Sequence, residues 1–363
     1  MLGKKCTRRQ LRTLWLAVML AVTSMTIGCS RRESYNELIY VTNEDSGDLS
    51  VISTSTNEVI WRIPVGKRPR GVKVSADGRT VYVALSGSPK CPPWMSDEEC
   101  GKLVTDKTKD GIAVVNAVMR RVTRILPGGS DPEQFDISKD GKRLYIANED
   151  ANVASIVDVQ SGEILHTIKV GLEPEGVRLS PDGKLVYVTS ESDHDVTVIN
   201  AMTGEILNKI KVGARPRDAV FTPDGSWCYV SAEMGKSVSK IDVAENRVVS
   251  TIELGPDTKP MGLAVSPNGQ RLYLTTGRGK TVVVFDIPDF KVVGQVEVGT
   301  RPWGIALTQD GGRLYTANGP SNDVTVIDTR TLRVITKITV GQSPWGVAIA
   351  PKPQTLELLS SDQ

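Results

Sequence analysis

The segment IYVTNE at residues 39–44 sets a tyrosine within an apolar strand pattern, and similar segments recur along the chain. Their tyrosines are Tyr40, Tyr82, Tyr145, Tyr187, Tyr229, Tyr273 and Tyr315. The intervals between these tyrosines are 42, 63, 42, 42, 44 and 42 residues. Seven copies with so regular a period predict a repeat architecture, which is either a closed ring or an open solenoid.

Each repeat has the same internal order, as the unit that begins at residue 174 illustrates. A Pro-x-Gly sequence opens a short apolar run, PEGVRLS, and a Pro-Asp-Gly turn follows at residues 181–183. The tyrosine strand comes next, and strand-like segments at residues 196–200 and 206–212 complete the unit. Proline presets φ, aspartate bonds the following backbone and glycine accepts positive φ, so the triplet favours a tight hairpin. The β-branched residues and two-residue alternation predict four strands per unit.

The two ends of the repeat array complement each other. The array begins with a tyrosine strand at residues 38–42 and ends with a lone first strand at residues 345–350. We therefore predict an all-β fold, a seven-bladed β-propeller of four-stranded antiparallel blades. In this fold the C-terminal strand joins the three N-terminal strands and closes the ring, which leaves no exposed sheet edge between the ends. An open solenoid would need capping repeats, and the sequence pattern contains none.

The N-terminus is typical of an export signal. A basic stretch precedes an apolar run over residues 14–27, which is short for a membrane span and fits a signal-peptide core. Thr26-Ile27-Gly28-Cys29 resembles the lipobox of bacterial lipoproteins, and residues 7–12 resemble a twin-arginine signal. We expect a signal peptide at residues 1–28 and a lipidated Cys29 with a tether at 29–37. The propeller then spans 38–351, with a loop insertion at 85–110, and a tail follows at 352–363. A plain secretory signal is the alternative.

The charge of the chain argues against a nucleic-acid partner. The 363 residues have a net charge of +2, and residues 1–28 contain five basic residues and no acidic one. Without that segment, 39 basic residues face 42 acidic residues, a net charge of −3. The mature protein therefore has no global attraction to phosphate backbones or anionic lipids. We expect contact with the periplasmic face of a membrane, the outer one in preference to the inner, through the lipid anchor alone.

The remaining cysteines fit an oxidising compartment. Cys91 and Cys100 lie in one Pro-rich segment, CPPWMSDEEC, and we expect them to form a disulfide. A metal pair is the alternative, although no histidine is near and the spacing is not CxxC. Cys228 lies within a strand pattern and is predicted to be a small buried residue.

Strand direction places the seven prolines that open the repeats, five of them in Pro-x-Gly sequences, at one face of the ring. The residues that follow each proline, or occupy the equivalent position, surround the central channel: Arg70, Glu133, Glu175, Arg217, Met261, Trp303 and Trp345. One interpretation is that these side chains pair with one another and plug the channel. The other is a binding funnel, because rigid aromatic groups beside arginine are suited to recognition.

The loop insertion lies on the same predicted face. The interval from Tyr82 to Asn116 is 34 residues, against 13 from Tyr187 to Asn200 in a standard unit. The additional residues include Trp94, which we add to the candidate ligand-binding funnel. Long loops near a binding face are often functional, and a tolerated decoration is the alternative.

Other polar residues provide no chemistry that the sequence alone can assign. The acidic residues Glu44, Glu149, Glu191 and Glu233 follow tyrosine strands, and we interpret them as solvated turn carboxylates rather than Ca²⁺ ligands. His166 and His194 are interpreted as structural or exposed. There is no haem-attachment CxxCH and no helix-opening GxGxxG, so we expect no cofactor and no metal site.

The segments IYVTNE, the SPDG turns and the VIDT-like strands resemble the YVTN-repeat β-propellers of bacteria and archaea. GSPKCPPWMSDEEC and GSDPEQFDISKDG further resemble propellers associated with PQQ-dependent alcohol catabolism. That resemblance implies a non-catalytic accessory protein in the periplasm. Its partner would be a protein, such as a quinoprotein dehydrogenase or its cytochrome c, or a small anionic ligand at the funnel.

Two alternatives assign other functions to the same fold. Some seven-bladed propellers hydrolyse lactones, which requires a base and an electrophile that converge in the channel. Glu133 or Glu175, with Arg70 or Arg217, is the candidate set for that reaction. The second alternative is nucleic-acid binding, which the mixed charges of the rim disfavour.

The lipid anchor makes a direct prediction. Mass spectrometry of the mature protein should find diacylglycerol on an N-terminal Cys29, and a Cys29→Ser protein should become soluble because it lacks the acyl chains. A Cys228→Ser protein serves as the matched control and should stay in the membrane fraction. Recovery of unmodified Cys29 in a soluble mature protein would contradict the lipobox interpretation.

Overall fold

Seven antiparallel sheets form the protein, each with four strands. The structure is a computed structural model that describes residues 37–90, 95–100 and 102–350. The predicted closure is confirmed, because the last strand pairs with the first one and places Tyr40 opposite Ala348. The fold is therefore the predicted seven-bladed propeller of four-stranded antiparallel blades.

The first blade takes its first three strands from the beginning of the described chain. These are β1 (Leu38–Asn43), β2 (Asp48–Ser53) and β3 (Glu58–Pro64). The strands of the second blade are β4 (Pro69–Val74), β5 (Thr80–Leu85), β6 (Gly111–Asn116) and β7 (Arg121–Leu126). The strands of the third blade are β8 (Pro132–Ile137), β9 (Arg143–Asn148), β10 (Val153–Asp158) and β11 (Ile164–Lys169).

The remaining blades follow the same order, and the final strand returns to the first blade. The fourth blade contains β12 (Pro174–Leu179), β13 (Leu185–Ser190), β14 (Asp195–Asn200) and β15 (Ile206–Lys211). The fifth contains β16 (Pro216–Phe221), β17 (Trp227–Ala232), β18 (Ser237–Asp242) and β19 (Arg247–Glu253). The sixth contains β20 (Leu263–Val265), β21 (Arg271–Thr275), β22 (Thr281–Asp286) and β23 (Lys291–Glu297). The seventh contains β24 (Pro302–Leu307), β25 (Arg313–Asn318), β26 (Asp323–Asp328) and β27 (Arg333–Thr339), and β28 (Pro344–Ala350) closes the ring.

Helical segments are few and short in the part of the chain that the structure describes. They are α1 (Asp97–Cys100) and three 3₁₀ turns at Lys107–Lys109, Glu149–Ala151 and Gly277–Gly279. Among the described residues, no helix has the length and apolar character needed to cross a membrane.

The hairpin that follows each first strand owes its shape to the predicted turn chemistry. In the fourth blade Ser180 Oγ donates to Asp182 Oδ1 at 2.6 Å, and Asp182 Oδ1 accepts the Lys184 N–H at 3.1 Å. Gly183 takes a φ of 76°, a value that favours glycine. These hydrogen bonds to the ionised carboxylate lower the pKa of Asp182.

The hydrophobic core is divided among the junctions between neighbouring blades. One buried cluster joins Tyr40 and Leu49 of the first blade to Val81 and Val83 of the second. Another cluster joins the first blade to Tyr315 of the seventh, across the closure of the ring. The tyrosines that mark the repeat are thus core residues that fill these junctions, and four of them are fully buried: Tyr40, Tyr187, Tyr229 and Tyr315.

Hydroxyl groups on the tyrosine strands join adjacent blades near the axis. Thr42 Oγ1 accepts the Gly346 N–H at 2.8 Å and donates to the Arg70 carbonyl of the next blade at 2.7 Å. Thr275 makes the same pair of bonds, to the Gly262 N–H at 2.9 Å and the Trp303 carbonyl at 2.8 Å. The threonine of the YVTN segment therefore satisfies two buried backbone groups that no strand partner reaches.

Thr42→Val should destabilise the ring without changing the size of the side chain. The substitution leaves the Gly346 N–H and the Arg70 carbonyl buried without a partner, a loss of about 1–3 kcal/mol per group. The midpoint of thermal unfolding should fall, whereas Thr167→Val on exposed β11 serves as the matched control and should not shift it. Equal midpoints for the two variants would show that the two hydrogen bonds of the Thr42 hydroxyl do not contribute to the stability of the fold.

Candidate functional site

Close packing of the first strands at the axis determines where the candidate site lies. A Cβ added to Gly346 would lie 2.5 Å from the Arg70 carbonyl oxygen, and one added to Gly304 would lie 2.5 Å from that of Trp345. Real Cβ atoms essentially never approach an oxygen so closely, so the third residue of Pro-x-Gly must lack a side chain at these junctions. The residue before each of these glycines is thereby held at the mouth of the channel.

The structure brings all seven residues of the predicted mouth together at one end of the channel. Six of them are buried, and Trp303 is half-buried. Five of them line the same cavity, which has a volume of about 460 Å³: Glu175, Arg217, Met261, Trp303 and Trp345. Arg70 and Glu133 are bound to each other beside it. Side chains at the mouth do pair with one another, and a cavity still remains, so the ligand-binding interpretation stays a prediction.

The first group of charges surrounds Arg70. Its guanidinium contacts the carboxylates of Asp131 and Glu133, and Glu149 Oε2 lies 3.7 Å away. Burial raises the pKa of Glu149 above its usual value, and Arg70 opposes this shift. For Asp131, burial acts in the same sense, but Arg70 and Ser86 prevail and lower the pKa. The spacing of the three carboxylates would suit a metal ion, but the Arg70 guanidinium already provides a positive charge among them.

The second group of charges surrounds Arg217. Its Nη1 contacts Glu191 and lies 3.5 Å from Glu175 Oε2, and its Nε lies 3.7 Å from Glu233 Oε2. Arg217 Nε is buried and has no hydrogen-bond partner among the described residues, so the guanidinium keeps an unused donor. This arginine is therefore neutralised by carboxylates but not saturated with hydrogen bonds.

Glu175 is the carboxyl group whose protonation is most strongly perturbed at the mouth. Burial, in a side chain that is 3% exposed, raises its pKa to about 7, while Arg217 and Arg70 limit the rise. The nearby Glu149 carboxylate adds to the increase. Glu175 therefore exchanges a proton near neutral pH, which is the range in which a general base works best.

Aromatic rings form the opposite side of the mouth. The ring centroids of Trp303 and Trp345 are 5.4 Å apart, and the Arg217 guanidinium lies 4.8 Å from the centroid of Trp303. Arg301 contacts the same indole ring at 5.2 Å. The arginine at the centre of the second charged group is thus oriented by an indole face as well as by carboxylates.

Residues just before the prolines adopt a strained backbone. Arg68, Arg215 and Arg301 have φ values of 42°, 57° and 52°, in a region that side chains other than glycine rarely occupy. Each of these arginines contacts the rim, as Arg68 Nε shows by donating to Glu44 Oε1 at 3.0 Å. Such conformations persist only where surrounding structure enforces them, and they concentrate at functional sites.

The carboxylates that follow the tyrosine strands were predicted to be solvated, and for two of them this is wrong. Glu191 is 2% exposed and Glu44 is 7% exposed, because each is covered by an arginine from a neighbouring Pro-x-Gly loop. The repeat pattern identified their face but not the arginines that would cover them. His194 Nδ1 lies 2.7 Å from the Glu191 carbonyl oxygen, in agreement with a structural role for this histidine.

The sequence analysis missed a second layer of charges deeper in the channel. Lys73 Nζ lies 3.2 Å from Asp136 Oδ1, and Arg178 Nη2 lies 3.2 Å from Asp218 Oδ2. Burial lowers the pKa of Lys73, with Arg178 acting in the same sense. A signal was available, because three of these residues stand between two apolar neighbours at the fifth position of β4, β8 and β12.

The described part of the insertion lies on the same face as the mouth. Lys90 Nζ lies 3.1 Å from Asp45 Oδ1 and 3.1 Å from the hydroxyl of Ser343, which immediately precedes β28. The Gly87 N–H donates to Asp110 Oδ1 at 2.6 Å and ties the base of the insertion together. Trp94, Cys91 and Cys29 lie outside the described residues, so the Cys91–Cys100 disulfide stays a prediction. Cys228 is a free, buried thiol within β17, and burial raises its pKa.

Two family profiles match the sequence. Residues 14–227 match the YNCE-like beta-propeller, and residues 204–345 match the seven-bladed beta-propeller lactonases. No protein of curated function matches significantly.

Solved structures share the fold at low sequence identity. The periplasmic gluconolactonase PpgL of Pseudomonas aeruginosa is 18% identical, with a TM-score of 0.70 over 87% of this chain and 99% of its own. A Bacteroides fragilis protein, whose assignment as a 6-phosphogluconolactonase is provisional, is 19% identical with a TM-score of 0.69 over 87% and 99%. Kuenenia stuttgartiensis hydrazine synthase is 21% identical with a TM-score of 0.67 over 78% and 90%. At these identities the likeness establishes the fold alone.

The expectation of a non-catalytic accessory protein is wrong in the light of these comparisons. The lactonase profile over residues 204–345 favours the hydrolase alternative. The physical reason for the error is that the YVTN repeat specifies the ring, whereas chemistry depends on a few side chains at its mouth. Because the YNCE-like profile spans more than half of the sequence and the ring geometry agrees with it, the chain belongs to the YNCE-like beta-propeller family.

Proposed function

We propose that the protein hydrolyses a lactone at the mouth of the channel, with Glu175 as general base and Arg217 as electrophile. The observation that carries the proposal is a buried carboxyl with a pKa of about 7, 3.5 Å from an arginine, on the wall of a cavity of about 460 Å³. The match to the lactonase profile supports it.

The reaction uses these two residues in successive steps. Ionised Glu175 takes a proton from a water molecule, whose oxygen attacks the lactone carbonyl carbon. The carbonyl electrons move to oxygen, and Arg217 stabilises the resulting oxyanion through its positive charge. As the ring C–O bond breaks, protonated Glu175 returns its proton to the leaving alkoxide. The product is an open-chain hydroxy acid, and the enzyme is restored.

Glu175 is preferred over Glu133 because of its position relative to the cavity. Glu175 lines the cavity, whereas Glu133 contacts Arg70 and does not line it. A carboxylate locked in such a contact is poorly placed to receive a proton from water. Arg70 instead acts through the field that it exerts on Glu175 and Glu149.

The place of this activity in the cell stays a proposal based on the sequence. A lipidated Cys29 would hold the enzyme at the periplasmic face of a membrane, where the substrate would also have to be present. The resemblance to the PQQ-associated propellers stays a prediction about the subfamily. Alcohol oxidation can generate aldehydes and hemiacetals that oxidise to lactones, and this chemistry is compatible with a hydrolase.

Glu175→Gln should lower kcat/KM for lactone hydrolysis by about 10²–10⁴-fold, because the amide cannot accept the proton of the attacking water. The assay is a pH-indicator measurement of hydroxy-acid release from a panel of lactones. Glu205→Gln, which changes an exposed glutamate in the turn before β15, is the matched control and should retain wild-type rates. Wild-type turnover by the Glu175→Gln protein would remove Glu175 from the mechanism.

The pH dependence should follow the ionisation of Glu175. Since the base must be ionised, kcat/KM should rise with pH and level off above the pKa of about 7 in the free enzyme. Below that pH the rate should fall about tenfold per unit as the carboxyl is protonated. Initial rates between pH 5 and 8, after subtraction of spontaneous hydrolysis, test this. A profile with no inflection in that range, or one that declines with pH, would contradict the assignment.

A further inference from the structure

The mouth of the channel is divided into a charged half and an apolar half. Blades two to five contribute Arg70, Glu133, Glu175 and Arg217 after their prolines. Blades six, seven and one contribute Met261, Trp303 and Trp345 at the equivalent positions. The charged residues thus come from consecutive blades, and so do the apolar ones. The mouth therefore has a charged side and an apolar side that face each other across the channel.

The same division continues deeper in the channel. At the fifth position of the first strands, blades two to four carry Lys73, Asp136 and Arg178. The equivalent positions of blades six, seven and one carry Ala264, Ala306 and Ala348, and all three line the cavity. Val220 of the fifth blade is apolar and marks the boundary at this depth. One wall of the cavity is therefore apolar from the indole rings down to Leu307 and Ile349, which follow Ala306 and Ala348 along their strands.

The charged half offers no uncompensated cation to an anionic ligand. The buried arginines Arg70 and Arg217 are accompanied by four buried carboxylates: Asp131, Glu133, Glu175 and Glu191. Deeper down, Lys73 is paired with Asp136 and Arg178 with Asp218. Among the described residues the fully buried carboxylates at the mouth outnumber the fully buried arginines, and these groups disfavour a phosphorylated or carboxylated substrate. Half-buried Arg301, which contacts the Trp303 ring, is a positive charge outside this sum.

The apolar half offers a continuous surface to a hydrocarbon. Met261 is 2% exposed and Trp345 is 8% exposed, and both line the cavity. Below the indole rings, the small side chains of Ala306 and Ala348 leave room that larger residues would occupy. A cavity of about 460 Å³ with one apolar wall accommodates a ring at the mouth together with an extended substituent.

We propose that the substrate is an uncharged lactone with an alkyl substituent, bound with its ring at Glu175 and Arg217 and its chain along Trp303, Ala306 and Ala348. This inference rests on the proposed hydrolase function and adds the substrate class to it. Arginines whose charge is balanced by nearby carboxylates suit a neutral carbonyl that becomes an oxyanion only in the transition state. The apolar wall supplies the binding energy.

The first experiment measures kcat/KM for γ-lactones that carry no substituent, a butyl chain or a hexyl chain, with gluconolactone and its 6-phosphate for comparison. Burial of each methylene should raise kcat/KM by about fourfold until the chain fills the channel. The phosphorylated lactone should be the poorest substrate. Equal values across the alkyl series, or a preference for the phosphorylated lactone, would overturn the substrate class while leaving the hydrolase function intact.

A variant that fills the apolar wall tests where the chain lies. Ala306→Phe should abolish the advantage of the hexyl lactone over the unsubstituted one, because the added ring occupies the space of the chain. Ala244→Phe, in an exposed turn of the fifth blade, is the matched control and should keep the full advantage. Circular dichroism should show that both variants fold. An unchanged chain-length dependence in folded Ala306→Phe protein would place the chain elsewhere and contradict the proposal.

Binding can be measured separately from turnover. Glu175→Gln protein is titrated with γ-lactams that carry the same alkyl chains, and the affinity of each is measured by isothermal titration calorimetry. Lactams are used because they resist hydrolysis. Affinity that rises with chain length supports the amphipathic site, even if wild-type protein hydrolyses no lactone and the proposed function fails. Absence of chain-length dependence in this titration overturns the substrate class, whatever the hydrolysis assays show.

Discussion

The close approach of the first strands around the axis is the constraint on which the rest of the structure depends. Glycine is required where a Cβ would meet the carbonyl of the next blade, as at Gly304 and Gly346. The hydroxyl of Thr42 then supplies hydrogen bonds to backbone groups that this crowding removes from water. Ring closure and the geometry of the mouth are therefore consequences of the same packing.

This packing also produces the electrostatics of the candidate site. Side chains that follow the prolines are forced into a narrow mouth, where most are buried and charges must pair or lose their ionisation. The buried charge of Arg217 is neutralised by several carboxylates, among them Glu191. Glu175 lies farther from its arginine, at 3.5 Å, and burial prevails there, which raises its pKa toward neutrality. A proton acceptor thus arises from incomplete pairing within a tightly closed ring.

The sequence could predict the fold because the fold is encoded in local, repeated signals. Tyrosine strands, Pro-Asp-Gly turns and the complementary chain ends each predicted features that the structure contains. It also predicted which seven residues meet at the mouth, since strand direction follows from the repeat. It could not predict that Glu191 is covered by Arg217, or that Lys73 and Asp136 pair in the channel. Those contacts join different blades, and their distances depend on ring curvature that no single repeat encodes.

The positions that build the ring differ from the positions that line the mouth. A likeness in fold therefore says little about the substrate. The glycine of Pro-x-Gly is constrained by backbone contacts, whereas the residue before it points into the mouth and is free to differ from blade to blade. In this chain that freedom produced a charged half ending at Arg217 and an apolar half containing Trp303. A propeller with the same ring and different residues at these positions would present another surface to its ligand. Relatives at 18–21% identity can therefore superpose well and still bind different molecules. The specificity of this protein must be read from its own seven positions, whose division into two halves points to an amphipathic ligand.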